Sequence, residues 1–236
     1  MREYTSTVTE VITRTPTCRS VRLDLPTDLQ YQPGQWAKVT PLPGTNEESK
    51  PLSFSSSPTE PYLEFTKRIS QSRFSTVFKN LVPGDTVRFR GPAGNLICTG
   101  TEKRIVFIAG GIGITPVRSI LRYLRDRDIP GEHCLLYANS TINEIAFRDE
   151  FEKIRDEDPS FTIIDVLETP PDGWNGHQGF LTREIIGECV PDIADQTVFL
   201  CGPPRMVEIM EGYLADLKVP EDQIRKESLL GYEELV

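Results

Sequence analysis

The residues best placed to do chemistry are glycines. Arg104-Ile105-Val106-Phe107-Ile108-Ala109 is a nearly unbroken apolar run, and it ends in Gly110-Gly111-Ile112-Gly113-Ile114-Thr115-Pro116. An apolar strand entering a glycine-rich turn that opens a helix is a phosphate-binding device. The turn bares backbone N–H groups, and the helix start adds partial positive charge. Proline stands where the full G-x-G-x-x-G pattern has its third glycine. The next strand ends in Tyr137-Ala138-Asn139-Ser140, with no acidic residue to take a ribose hydroxyl, so this is not the ordinary NAD-binding half. A tight turn of this kind also occurs in α/β units that bind nothing. A second copy of the design, Val198-Phe199-Leu200-Cys201-Gly202-Pro203-Pro204, favours a ligand. In a parallel sheet both turns fall at the carboxyl edge, where ligands bind, and two turns there can bracket an extended molecule. The plain alternative for Cys201 is a small buried hydrophobe.

Other chemistries find little support. The chain has two histidines and five cysteines, an odd number with no C-x-x-C pair. A disulfide framework, a zinc site, an iron–sulfur cluster and catalysis by a histidine base are all disfavoured. Of 236 residues, 38% are hydrophobic and 26% charged, enough for a packed core. The net charge of -9 and pI of about 4.9 argue against binding to nucleic acid or to a membrane surface. No stretch approaches the ~20 apolar residues of a membrane span, and the N-terminus carries no apolar signal core. A cytoplasmic protein is expected.

Two textures position these residues. Through residues 1–101 short runs rich in Val, Thr, Phe and Tyr alternate with turn residues: Thr5–Ile12, Ser20–Leu25, Gln35–Thr40, Leu63–Ile69 and Thr86–Arg90. This spacing predicts a small antiparallel barrel or sandwich, interrupted by a short helix over Phe74–Leu81. Residues 102–236 alternate strand and helix, which predicts a parallel sheet flanked by helices. Pro116 suits the first position of the helix after the glycine turn. Val117, Ile120, Leu121 and Leu124 fall on one face of it, and the last long helix starts at Pro204. A further strand is expected over Phe161–Leu167.

With these motifs in order, the chain resembles the ferredoxin–NADP reductase family over nearly its whole length. Gly110–Pro116 resembles that family's nicotinamide-nucleotide motif, and Cys201-Gly202-Pro203-Pro204-Arg205-Met206 its second nucleotide motif. Lys50-Pro51-Leu52-Ser53-Phe54-Ser55-Ser56 lies where the family has Arg-x-Tyr-Ser/Thr for the flavin. Arg73-Phe74-Ser75-Thr76, Pro83-Gly84-Asp85 and Gly91-Pro92-Ala93-Gly94 follow in family order. The resemblance implies an antiparallel flavin-binding barrel, then a parallel-sheet nucleotide domain, with FAD rather than FMN and its ring between the two.

The resemblance also assigns roles. Ser53 would hydrogen-bond the flavin near its reactive nitrogen. Lys50, Arg68 and the turn of Phe74, Ser75 and Thr76 would hold its phosphates, with Pro51, Leu52, Thr66 and Lys67 beside them. Thr115 would orient the nicotinamide, Cys201 would stand beside the carbon that gives up hydride, and Glu227 would lie close by. Gly110, Gly111, Gly113, Pro116, Asn139, Ser140, Arg148, Gly202, Pro203 and Met206 would line the nucleotide, and Tyr232 would cover the flavin ring. Two residues depart from the pattern. Lys50 offers a point charge where arginine offers a planar fork, and Leu52 lacks the ring of the family's tyrosine.

The implied activity is hydride transfer from NADPH or NADH to the flavin and onward electron delivery. The acceptor would be ferredoxin, flavodoxin, an oxygenase component or a small molecule. The missing acid after the second strand tilts the choice to NADPH, with Ser140 and Arg148 as ligands of a 2′-phosphate. Arg148 could instead pair with a neighbouring carboxylate of its own helix. The rival readings are a non-catalytic reductase-like subunit and an NAD(P)H-sensing module.

Overall fold

Alternation every second residue shapes the first half. In Thr86–Ala93, Val87 and Phe89 point into a core while Arg88 and Arg90 point out. A computed structural model describes residues 1–41 and 48–228. Strands β1 (Arg2–Thr13), β2 (Cys18–Asp24), β3 (Trp36–Pro41), β4 (Lys50–Ser53), β5 (Tyr62–Arg68) and β6 (Thr86–Ala93) form one antiparallel sheet in the order β4-β3-β6-β1-β2-β5. A bridge between Phe54 and Phe65 brings the end of β4 to β5, so the sheet nearly closes into the expected barrel. Phe54, Phe65 and Phe89 fill its centre, their rings 5.2–6.5 Å apart. Helix α1 spans Arg73–Lys79 and is capped by Ser72.

One charged residue is buried on the other side of β5. Glu64 has no exposed surface, yet it receives Arg14 at 2.8 Å, Arg22 at 2.9 Å and the Ser55 hydroxyl at 2.9 Å. Removing one member of a buried charge network strands the others, at about 3–5 kcal/mol when all are buried. Both arginines reach solvent in part, so Glu64→Ala is expected to cost about 2–4 kcal/mol. Chemical denaturation at neutral pH measures this, and a loss below about 1 kcal/mol would show the network to be dispensable.

In the second half the strands are β7 (Arg104–Gly110), β8 (Glu132–Asn139), β9 (Phe161–Leu167), β10 (His177–Gln178), β11 (Thr197–Gly202) and β12 (Ile224–Ser228). They form a wholly parallel sheet in the order β10-β9-β8-β7-β11-β12. Ile105 through Ala109 are all buried, as a central parallel strand requires. Helices α3 (Arg148–Glu157), α4 (Arg183–Cys189) and α5 (Pro204–Asp216) belong to this half. One face of the sheet carries Val106, Ile108, Leu136, Val198 and Leu200 in a core completed by Ile186, Val207, Met210 and Leu214. Helix α2 (Ile114–Asp126) buries Val117, Ile120, Leu121 and Leu124, the expected face.

Two compact units result, residues 1–99 with 115–128, and residues 100–114 with 129–236. The single change of unit expected after residue 101 falls after Thr99. Residues 115–128, expected with the second unit, group with the first. No helix among the described residues is long and apolar enough to cross a membrane.

Candidate functional site

The two glycine turns are built on adjacent strands. β7 and β11 are paired, with Ala109 opposite Cys201. β7 ends at Gly110, a single 3-10 turn covers Gly111–Gly113, and α2 starts at Ile114. Pro116 is therefore the third helical residue rather than the first. Its missing N–H still costs nothing, because the first turn of a helix has no internal partners. β11 ends at Gly202, Pro203 caps α5 and Pro204 opens it. The turns touch. A side chain at Gly113 would put Cβ 2.4 Å from the Cys201 carbonyl oxygen, and one at Gly110 would meet Met206 Sδ. Gly111 has φ 51°, which glycine adopts without strain. Its carbonyl accepts a 3.1 Å hydrogen bond from the Tyr137 hydroxyl, a buried brace that sequence reasoning missed. No acidic side chain occupies the first turn of α2 or α5, so both N-termini keep their positive character for an anion.

Asn139 ends β8 at the same edge. It is 4% exposed, and neither amide atom of its side chain has a partner among the described residues. Ser140 follows, exposed. Arg148, expected on a phosphate or on a neighbouring carboxylate, donates to Glu152 at 2.7 Å one turn along α3. An acidic residue stands just beyond the end of the next strand. Glu168, exposed, directly follows β9, and its N–H donates to the Asn139 carbonyl at 3.0 Å. Thr169 does the same to Ser140 at 2.8 Å. No pattern local to the sequence marks Glu168, because it lies one strand beyond the usual place.

Cys201 is fully buried and stands opposite Glu227 of β12. Burial pushes its thiol well above the ordinary range, and the neighbouring Glu227 charge adds to this. Burial also raises the Glu227 carboxyl to about 7. Glu227 Oε2 is sealed from solvent with no hydrogen-bond partner among the described residues. Thr115, at the start of α2, is buried. The second-unit residues assigned from the motifs, Gly110, Gly111, Gly113, Cys201, Gly202, Pro203, Met206 and Glu227, therefore lie on or beside two paired strand ends.

In the first unit, Lys50–Ser53 forms β4. Ser53 is 3% exposed, and its hydroxyl has no partner among the described residues, as a group awaiting a ligand would. Lys50 lies 3.6 Å from Glu48; Pro51 is exposed, and Leu52 packs on the barrel core. Lys67 and Arg68 are half-buried at the end of β5. Four assignments point away from a ligand. The Thr66 hydroxyl lies 2.7 Å from Ser20 and 2.8 Å from Ser55, inside the Glu64 network. Phe74 is a core residue with no exposed surface. Ser75 is buried with its hydroxyl among Ser70 and Ser72, and its N–H is taken by the Ser72 cap. The Thr76 hydroxyl donates back to the Ser72 carbonyl. Tyr232 lies outside the described residues. No cluster of three or more His, Cys, Asp or Glu that could hold a metal occurs among the described residues.

A family model described as the oxidoreductase NAD-binding domain matches residues 107–212. The chain is 42% identical over 153 residues to NADH-cytochrome b5 reductase 1 of Aspergillus terreus, covering 61% of this chain and 52% of that protein. It is 30% identical over 196 residues to NADH-cytochrome b5 reductase 1 of Dictyostelium discoideum, covering 81% of this chain and 68% of that one. The fold matches a ferredoxin NADP+ reductase from Neisseria gonorrhoeae with a TM-score of 0.82 and 21% identity, over 97% of this chain and 99% of that one. The chain belongs to the ferredoxin–NADP reductase family. It spans about half the length of the fungal relatives it matches. As in other members of the ferredoxin–NADP reductase family, an antiparallel barrel precedes a parallel sheet, the architecture its motifs imply.

Proposed function

We propose that the chain is an FAD-dependent NADH oxidoreductase that hands electrons one at a time to a protein acceptor of the cytochrome b5 kind. The observation that carries this is the contact of the two glycine turns, Gly113 against the Cys201 carbonyl, beside a buried Cys201 and Glu227. The N–H groups of Gly110–Gly113 and the starts of α2 and α5 would receive a pyrophosphate. Asn139 offers an unused amide next to it. Cys201 presents a neutral thiol, and Glu227 a carboxyl that holds its proton in part at neutral pH. Ser53 would hold FAD through its unused hydroxyl, with Lys50 and Arg68 as cations for its phosphates. When bound, FAD supplies the capacity to accept two electrons from a nicotinamide and release them singly. The protein's part is alignment and exclusion of water.

NADH is favoured over NADPH, reversing the tilt expected from the β8 end. Arg148 pairs with Glu152, and the backbone of Glu168 is bonded to that of Asn139, which brings an acidic residue to this strand end. An acid there accepts a ribose hydroxyl and repels a 2′-phosphate. The relatives named NADH-cytochrome b5 reductase support the same choice, and they favour a haem protein over the ferredoxin, flavodoxin or oxygenase component that the motifs alone suggest. Anaerobic titration tests the reading. The FAD-loaded protein should bleach with NADH and pass electrons to cytochrome b5 ahead of ferredoxin or flavodoxin. A colourless protein that binds no added FAD would end it. Glu168→Gln should lower the NADH-over-NADPH ratio of kcat/KM by about tenfold, about 1.4 kcal/mol. An unchanged ratio would remove Glu168 from the site.

A further inference from the structure

The proposed activity leaves unused a buried ion pair in the first unit. Arg118, on α2, is 3% exposed. Its guanidinium meets Glu60 at both ends, Nη1 to Oε2 at 2.5 Å and Nη2 to Oε1 at 2.8 Å. Nη1 also donates to the Ser55 carbonyl at 2.8 Å, and the hydroxyl of the next residue, Ser119, donates to the Ser56 carbonyl at 2.6 Å. Glu60 in turn accepts from the Ser57 N–H at 2.8 Å and from the Tyr62 hydroxyl at 2.5 Å. The segment so gripped begins two residues after Ser53. Ser55, Ser56 and Ser57 are fully buried but carry no apolar side chain that packing could hold. Phe54 anchors the start of this segment in the barrel core, and beyond it hydrogen bonds set where the backbone lies, two of them supplied by α2. The helix is the one that the Gly111–Gly113 turn opens.

A buried ion pair is a poor device for stability, since apolar residues of similar volume often do as well. What a bidentate pair adds is direction. We infer that Arg118, with Glu60 and Ser119, is a positioning device that fixes the Ser55–Ser57 backbone, and through it the Ser53 hydroxyl, to the helix continuing from the nucleotide turn. The inference rests on the proposed flavin role of Ser53. Arg118 touches neither flavin nor nucleotide in this scheme; it acts through Ser53.

The test uses FAD-loaded Arg118→Met, Arg118→Lys and Ser119→Ala beside the wild type. Thermal unfolding, FAD content, the visible circular dichroism of the bound flavin, and anaerobic reduction over a range of NADH concentrations are measured. Arg118→Met is expected to keep FAD, to change the flavin dichroism, and to slow reduction at saturating NADH by about tenfold, the scale on which small misalignments act. The NADH concentration for half-maximal rate should move less than about twofold, because the nucleotide turn is intact. Arg118→Lys should recover part of the rate by restoring one bond, and Ser119→Ala should slow it about threefold. Variants that melt earlier but keep the wild-type dichroism and rate would overturn the inference and leave a mere staple. If Arg118→Met does not fold, Ser119→Ala decides between the same two outcomes. A wild type that holds no FAD, or is not reduced by NADH, overturns the functional reading and the inference with it; a wild type that is reduced, with variants reduced equally, overturns the inference alone.

Discussion

Gly113→Ala is expected to slow anaerobic flavin reduction by NADH at least about a hundredfold, the penalty that misplacement by about 1 Å can carry, while FAD stays bound. The added Cβ would lie 2.4 Å from the Cys201 carbonyl oxygen, 2.7 Å from its carbon and 2.8 Å from Gly202 Cα. All three are backbone atoms of a strand end held in register between β7 and β12. None can rotate away, so one turn must move off the other, and both are proposed to hold the nucleotide. Ser53 and Lys50, proposed to hold the flavin, belong to the other unit. Gly110→Ala is the control. Its Cβ would meet Met206 Sδ first, the far end of a flexible side chain that can swing aside, so a loss of about tenfold or less is expected. Overpacking should also cost Gly113→Ala about 1–3 kcal/mol of stability. Rapid-mixing absorbance of the flavin reads the rates. Reduction of Gly113→Ala at the wild-type rate would mean that the two turns do not act on one ligand.

The features readable in the sequence are those with a strong local period or a backbone demand. The Arg104–Ala109 run, the α2 face through Leu124 and the paired glycine turns need only residues close in sequence. The features not readable depend on which side of a strand faces inward, or on partners far along the chain. Thr66 and Phe74 sit in motif order, yet Thr66 turns into the Glu64 network and Phe74 into the barrel core. Arg118 and Glu60 are 58 residues apart, so no local pattern joins them. β12 reads Ile224-Arg225-Lys226-Glu227-Ser228, polar enough to pass for a loop, and becomes a strand because β11 offers it a free edge. Two-residue β10 exists only through its register with Val166 and Leu167. Glu168 was missed for a similar reason. Its place beside Asn139 comes from the lateral bond between β8 and β9, and spacing along the chain cannot show that bond.

Glu227→Gln is expected to make the protein more stable and a poorer enzyme. Burial holds the Glu227 carboxyl near 7, against an ordinary value of 4.5, and Oε2 finds no partner. Between those two values the folded protein keeps a proton that the unfolded chain has released. Stability therefore falls as pH rises through that window, and the loss is complete above about 7. A shift of this size corresponds to about 3 kcal/mol, reduced to about 1–2 because part of the residue reaches solvent. The neutral amide removes that penalty. Glu227→Gln should match the wild type at pH 4.5 and melt several degrees higher at pH 8, about 2–4 °C for each kcal/mol in a chain of this size. Glu227 is a buried carboxyl with a strongly raised pKa, the kind of group that active sites use. Its register partner is Cys201, at the carboxyl edge where the nucleotide turns meet. Flavin reduction by NADH in the wild type should then depend on pH with an apparent midpoint near 7, and this dependence should vanish in Glu227→Gln along with about tenfold of the rate. Differential scanning calorimetry and rapid mixing across pH 5 to 9 would measure both. A variant less stable at every pH, with the wild-type rate profile intact, would make Glu227 a structural residue and detach it from the chemistry.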